Sequence, residues 1–221
     1  MAGGILLVAV LALLIGCGGP PAGGTTPSPT PSAVDPKGQA PANVAGNEGR
    51  VPCADGRLLI GDLPEVDRQW QAGLESATRK SLVWQPDARL ISLRVGCQLF
   101  EPGFRWQATF YSARAQAFLA SDTGETEPAE VPPERVSTLP TEGISFGMLR
   151  RSLLKSGFSD DDEISPSSGV ELRLNTEAMP FGPPAAPLDV VLYYVAVDRL
   201  GETKDVFVSG ADGTVYRFAA P

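Results

Sequence analysis

The sequence predicts an α+β fold: two tandem units, each a helix followed by an antiparallel sheet, behind an N-terminal signal peptide and a disordered linker. Three observations carry that expectation. Two segments, starting near Leu63 and Ser145, place apolar residues at steps of three and four, as a helix with one buried face requires. The residues after each segment alternate apolar and polar with period two, as half-buried strands do. Helix starts at 63 and 145, first strands at 88 and 170, and second strands at 104 and 188 differ by 82, 82 and 84 residues, so the pattern runs twice.

In the first unit, residues 53–135, Asp62-Leu63-Pro64-Glu65 reads as a capping box with proline in the first turn. Leu63, Val66, Trp70, Leu74 and Ala77 form the buried stripe, and Arg79-Lys80 suit the C-terminal end of the dipole. Ile91, Leu93, Val95, Cys97 and Leu99 then share one strand face, with Ser92, Arg94 and Gln98 on the other. After a turn at Glu101-Pro102-Gly103, Phe104, Trp106, Ala108 and Phe110 alternate with Arg105, Gln107 and Thr109. A short strand at Ala115–Ala120 stops at Asp122-Thr123-Gly124, and an acidic, proline-bearing connector follows from Glu125 to Pro133.

In the second unit, residues 136–221, Phe146, Met148, Leu149 and Leu153 line the helix, and Gly157-Phe158 fits a left-handed C-terminal cap. Val170, Leu172 and Leu174 alternate with Glu171, Arg173 and Asn175. Leu188 to Val197 is apolar on both faces and reads as a central strand. Val206–Val208 and Val215–Phe218 flank a Gly-Ala-Asp-Gly turn, a hairpin.

The order Ala77, Trp84-Gln85-Pro86-Asp87-Ala88-Arg89-Leu90, Trp106 to Ser112, and Val206 to Val215 resembles the PepSY-like domains of bacterial envelope proteins over most of residues 58–218. The resemblance implies a small helix-plus-sheet module of inhibitor or interaction type, and it brings no catalytic residues. By architecture alone, tandem helix-plus-four-strand units also resemble beta-lactamase-inhibitor-type proteins.

The N-terminus reads as a processing signal. Ile5 to Ile15 is an uninterrupted apolar run, of signal-peptide length and too short to span a bilayer. It ends in Leu14-Ile15-Gly16-Cys17, which resembles the lipobox of bacterial lipoproteins, although Met1 to Gly4 lack the usual Lys or Arg. That resemblance implies residues 1–16 as a cleaved signal peptide and Cys17 as the acylated first residue, carrying chains such as palmitate. The protein would then be extracytoplasmic, held to a membrane by lipid. Residues 17–52 hold the lipidated cysteine and a Pro, Gly, Ser and Thr-rich stretch with almost no large apolar side chain, which cannot offset its own ordering entropy. About 35 such residues reach roughly 30–35 Å as a flexible tether. With Cys17 assigned to lipid, Cys53 and Cys97 remain as a pair for an oxidising compartment, so a disulfide is expected between them.

The chain has 221 residues, a net charge of −8 and no histidine. The acidic surface repels phosphates, so no nucleic-acid partner is expected. Without imidazole there is no Ser-His-Asp triad, Cys-His dyad or His-ligated metal. Gly143-Ile-Ser145-Phe-Gly147 spells the nucleophile-elbow motif, yet no strand precedes it and no histidine can serve it, so Ser145 reads as a helix cap. Ser152-Leu-Leu-Lys155 matches S-x-x-K without the accompanying elements of that enzyme class. Asp160-Asp161-Asp162-Glu163 lacks the glycine and distant glutamate of a calcium loop. The expectation is therefore no catalytic residue, no metal and no cofactor. The protein reads as a non-catalytic envelope module binding an envelope protein or peptide, with a small-ligand or Ca²⁺-binding lipoprotein as the alternative. Two hairpin loops supply the candidate contacts: Phe100 and Phe104 in the first unit, Met179 and Phe181 in the uncharged loop 179–187 of the second. Phe181 either meets a partner or folds back over the sheet.

Overall fold

The computed structural model describes residues 51–98 and 102–217. The expectations for the signal peptide, Cys17, the linker, Leu99 and Phe100 lie outside those residues.

Two α-helices lie against one antiparallel sheet, a mixed α+β architecture in which the sheet dominates. Helix α1 is Leu63–Trp84 and α2 is Phe146–Lys155. Four long strands form the centre: β2 (Arg89–Cys97), β3 (Phe104–Ser112), β7 (Val170–Asn175) and β8 (Val190–Arg199). Outside them lie β4 (Ala117–Ala120) and β5 (Thr126–Pro128) on one flank, and β9 (Glu202–Ser209) and β10 (Val215–Arg217) on the other. The order across the sheet is β10-β9-β8-β7-β2-β3-β4-β5. Short β6 (Glu163–Ile164) continues beside β8 past the end of β7, and β1 (Leu58–Leu59) pairs outside it. The first strands of the two halves pair directly, Ser92 with Arg173 through Val95 with Val170. The repeated pattern thus builds one shared sheet.

The helices cover one face. Leu63, Val66 and Trp70 of α1 and Phe146, Leu149 and Leu153 of α2 pack with Leu93, Val95, Leu172 and Val195 in a single core. The expected stripes are therefore the buried ones, but three details differ. Helix α1 runs past Arg79-Lys80 to Trp84, because no breaker intervenes until Pro86, which holds Gln85 extended (φ −146°, ψ 131°). Asp62 does not cap α1 with its side chain; it sits at the end of a 3₁₀ turn and accepts the Leu59 N–H at 2.9 Å. A bulge between Leu90 and Ser92 shifts the register, so Leu90 enters the core with Leu93 and Val95, and Ile91 is displaced to the helix-free side.

The expected disulfide is present: Cys53 joins Cys97, with Cα atoms 5.3 Å apart, and ties the chain ahead of β1 to the end of β2. Gly157 has φ +92° at the end of α2, and the Phe158 N–H donates to the Leu153 carbonyl at 3.2 Å, so the predicted C-terminal cap forms.

Gly73, in mid-helix, has a different purpose. A Cβ there would lie 2.6 Å from the Trp106 ring, so the indole lies against bare helix backbone. Gly73→Ala gains about 1 kcal/mol of helix propensity but forces an overlap costing about 1–3 kcal/mol. Thermal denaturation should show a net loss. In a Trp106→Ala background, the same substitution should become stabilising.

Candidate functional site

The helix-free face of the sheet carries the site that brings two of the predicted loop residues together. The loop between β7 and β8 folds back over that face, held by its own polar groups. Asn175 Oδ1 accepts the Phe181 N–H at 2.8 Å, and its Nδ2 donates to the Pro187 carbonyl at 2.7 Å. Thr176 Oγ1 accepts the Met179 N–H at 3.1 Å. Phe181 meets Phe207 edge to face at 5.5 Å, with the Arg173 guanidinium 5.1 Å from its ring centre. Ala186, Leu192 and Phe207 close a small second core beneath the loop. Of the two readings open for Phe181, the structure shows the folded-back one.

The folded loop leaves a groove of about 380 Å³ beside it. Ile91, Thr109 and Leu174 lie along the strands that floor it. Phe118 and Val131 come from the first half, and Met179 and Phe181 from the loop of the second. Glu127 and Arg173 supply one charge of each sign. Arg173 is itself paired with Glu171 at 2.5 Å. Met179 and Phe181 are thus brought together in one site. Phe104 is not part of it: it is buried in the helix-side core and lines a separate cavity against α1. The strand floor was invisible in the sequence because Ile91 reads as a core residue unless the bulge is known.

The motif residues are placed as structural elements. Ser145 caps α2, accepting the Met148 N–H at 3.1 Å, and its hydroxyl donates to Asp67 Oδ2 at 3.1 Å. Asp67, on α1, also accepts the Phe146 N–H at 2.9 Å and the Gly147 N–H at 3.1 Å, so one carboxylate fills the positive end of α2 from the neighbouring helix. The Ser145 N–H donates to the Tyr193 hydroxyl at 2.8 Å. Ser152 is buried with its hydroxyl against the Met148 sulfur, while Lys155 is exposed. The acidic run diverges to three arginines: Asp160 to Arg150, Asp162 to Arg199 and Glu163 to Arg57. Among the described residues no group of three acids, cysteines or histidines converges as a metal site.

No protein-family model and no curated protein matches the chain. Among solved structures, that of a candidate lipoprotein from Clostridium difficile 630 is similar over 63% of this chain and 87% of its own, at 15% identity and a TM-score of 0.40. A likeness of that size carries no argument about function.

Two predictions follow from the Asp67–Ser145–Tyr193 junction. Asp67→Ala removes three hydrogen bonds at a helix end and should lower stability by about 2–3 kcal/mol, read by urea unfolding. Burial is the main cause that pushes the Tyr193 phenol up from 10.0 to about 12, opposed by the Ser145 N–H and reinforced by the Asp67 charge. The raised folded pKa favours the neutral phenol, so its contribution is complete below pH 10 and is lost as pH rises towards 12. Across that window the wild type should lose about 2–3 kcal/mol that Tyr193→Phe does not lose.

Proposed function

We propose that this chain is a lipid-anchored, non-catalytic protein of the cell envelope whose helix-free groove receives an extended segment of another envelope protein. The anchor rests on Leu14-Ile15-Gly16-Cys17 and on the polar linker that follows. The Cys53–Cys97 disulfide is what an oxidising compartment would permit. The finer reading, two PepSY-like units in tandem, draws support from the helix that precedes an antiparallel run of strands in each half.

The observation that carries the binding role is the groove itself. Met179 and Phe181 are held in place by Asn175 and Thr176, so the site is formed before a ligand arrives and little ordering entropy remains to be lost. Its apolar lining suits aliphatic or aromatic side chains, and Arg173 and Glu127 would fix their orientation. No described helix is long and apolar enough to cross a membrane, so within this reading Cys17 is the attachment point.

Labelling cells with tagged palmitate should mark the wild type and not Cys17→Ala. Photo-crosslinking side chains placed at Val131 and Met179, which line the groove from the two halves, should capture the same protein. One at Leu200, which is 96% exposed at the β8–β9 turn, should not. Identical products from Leu200 and from the groove positions would overturn the binding role.

A further inference from the structure

The sheet turns the same way twice, and the two turns differ in one informative respect. Between β4 and β5, the Ala120 N–H donates to the Glu125 carbonyl at 3.0 Å, and the Gly124 N–H donates to the Ala120 carbonyl at 2.8 Å. Between β9 and β10, the Ser209 N–H donates to Thr214, and the Gly213 N–H donates to Ser209, both at 2.9 Å. The next residue bonds the adjacent strand in each case, Ser121 to the Ala108 carbonyl and Gly210 to the Val191 carbonyl. This matching equates Asp122 with Ala211, and Arg105 and Trp106 with Leu188 and Asp189.

In the second copy the turn sits on its helix: a Cβ on Gly213 would lie 2.5 Å from the Ser152 hydroxyl. In the first copy a Cβ on Gly124 would meet nothing within 4 Å. A cavity of about 520 Å³ lies between α1 and the β3–β4 strands there, within the size range of small-molecule sites. Phe104 and Trp106 give it an aromatic side, and Gln98, Lys80, Arg105 and Asp122 supply polar groups.

Asp122 is the unusual member. Its side chain is only 10% exposed, and one oxygen, Oδ2, pairs with Arg105. The other, Oδ1, is buried and has no hydrogen-bond partner among the described residues. A buried carboxylate oxygen left without a donor is costly. Arg105, 44% exposed, holds only Oδ2, and Asp122 lines the cavity, so a turn of the carboxylate towards the cavity is what would bring Oδ1 to a donor. Lys80 lies at the same cavity, its ammonium donating to the Ser121 carbonyl 3.4 Å away. Two cations against one carboxylate make this spot positive in a chain of net charge −8.

We infer that this cavity is a binding site for an acidic saccharide, a sugar ring bearing a carboxylate. Ring hydroxyls donate to Asp122 Oδ1, the sugar carboxylate pairs with Lys80 and Arg105, and the apolar C–H face lies on the aromatic side. A sugar without the acid satisfies only the first and third contacts. A simple anion satisfies only the second.

The test is calorimetric titration of the full chain in detergent micelles with methyl β-glucuronide, with methyl β-glucoside as the neutral counterpart. The glucuronide should bind with a Kd below about 1 mM, and the glucoside at least about tenfold more weakly. Lys80→Ala and Asp122→Asn should each weaken the glucuronide by about tenfold or more. Lys80 is exposed, so its variant keeps the test valid should Asp122→Asn fail to fold. Absence of glucuronide binding, equal binding of both sugars, or unchanged binding by a folded Lys80→Ala would each overturn the assignment.

Discussion

The pairing of β2 with β7 is the constraint on which the rest of this structure depends. Each half alone is one helix on a few strands, with too little apolar surface to be well stabilised. Joining the halves edge to edge along Ser92–Val95 and Arg173–Val170 removes two open strand edges and sets Leu93 beside Leu172 at the middle of the core. The helices can then share that core, and Asp67 reaches from α1 to the start of α2. A carboxylate at that point does what a phosphate or other anion does at many helix ends. This helix end is consequently satisfied from within.

The same pairing divides the molecule into two unlike faces. The helix side is filled by side chains from both helices and carries most of the buried apolar residues. Among the described residues the other side is covered by irregular segments, the Thr176–Asp189 loop and the chain after β5, and the groove is the gap between them. Its position follows from topology: the connections that return over this face come from opposite halves, one from the central β7–β8 pair and one from the β5 edge. Asn175 then decides where the second of them lies, because its amide bonds both Phe181 and Pro187.

Much of the fold was legible in the sequence because it depends on local periodicity. Leu63, Val66 and Trp70, the Phe146–Leu153 stripe, the alternation in Phe104–Phe110 and the Gly157 cap are each set by residues within a few positions of one another. What was not legible depends on partners distant in sequence. Asp67 reads as one more polar residue on an exposed helix face until α2 is placed beside it. Ile91 alternates correctly with its neighbours, and only pairing with β3 reveals the bulge. Tyr193 lies in an apolar run that hides its hydroxyl, which meets Ser145, 48 residues away. The candidate sites divide likewise: loop composition singled out Met179 and Phe181, whereas Asp122 looked like an ordinary turn residue.

Asp122 also bears on what the fold itself requires. Placing a carboxylate in that position carries a desolvation cost that an ion pair with a half-exposed arginine only partly offsets. The second copy of the turn shows that the cost is avoidable. With Ala211 at the equivalent place it forms the same backbone hydrogen bonds and packs closely on α2. Trp106 points the same way, since seating its ring takes a glycine in the middle of a long helix, itself a concession of helix propensity. Two unfavourable choices beside one cavity, neither imposed by the architecture, are better explained by what the cavity holds than by how the chain folds.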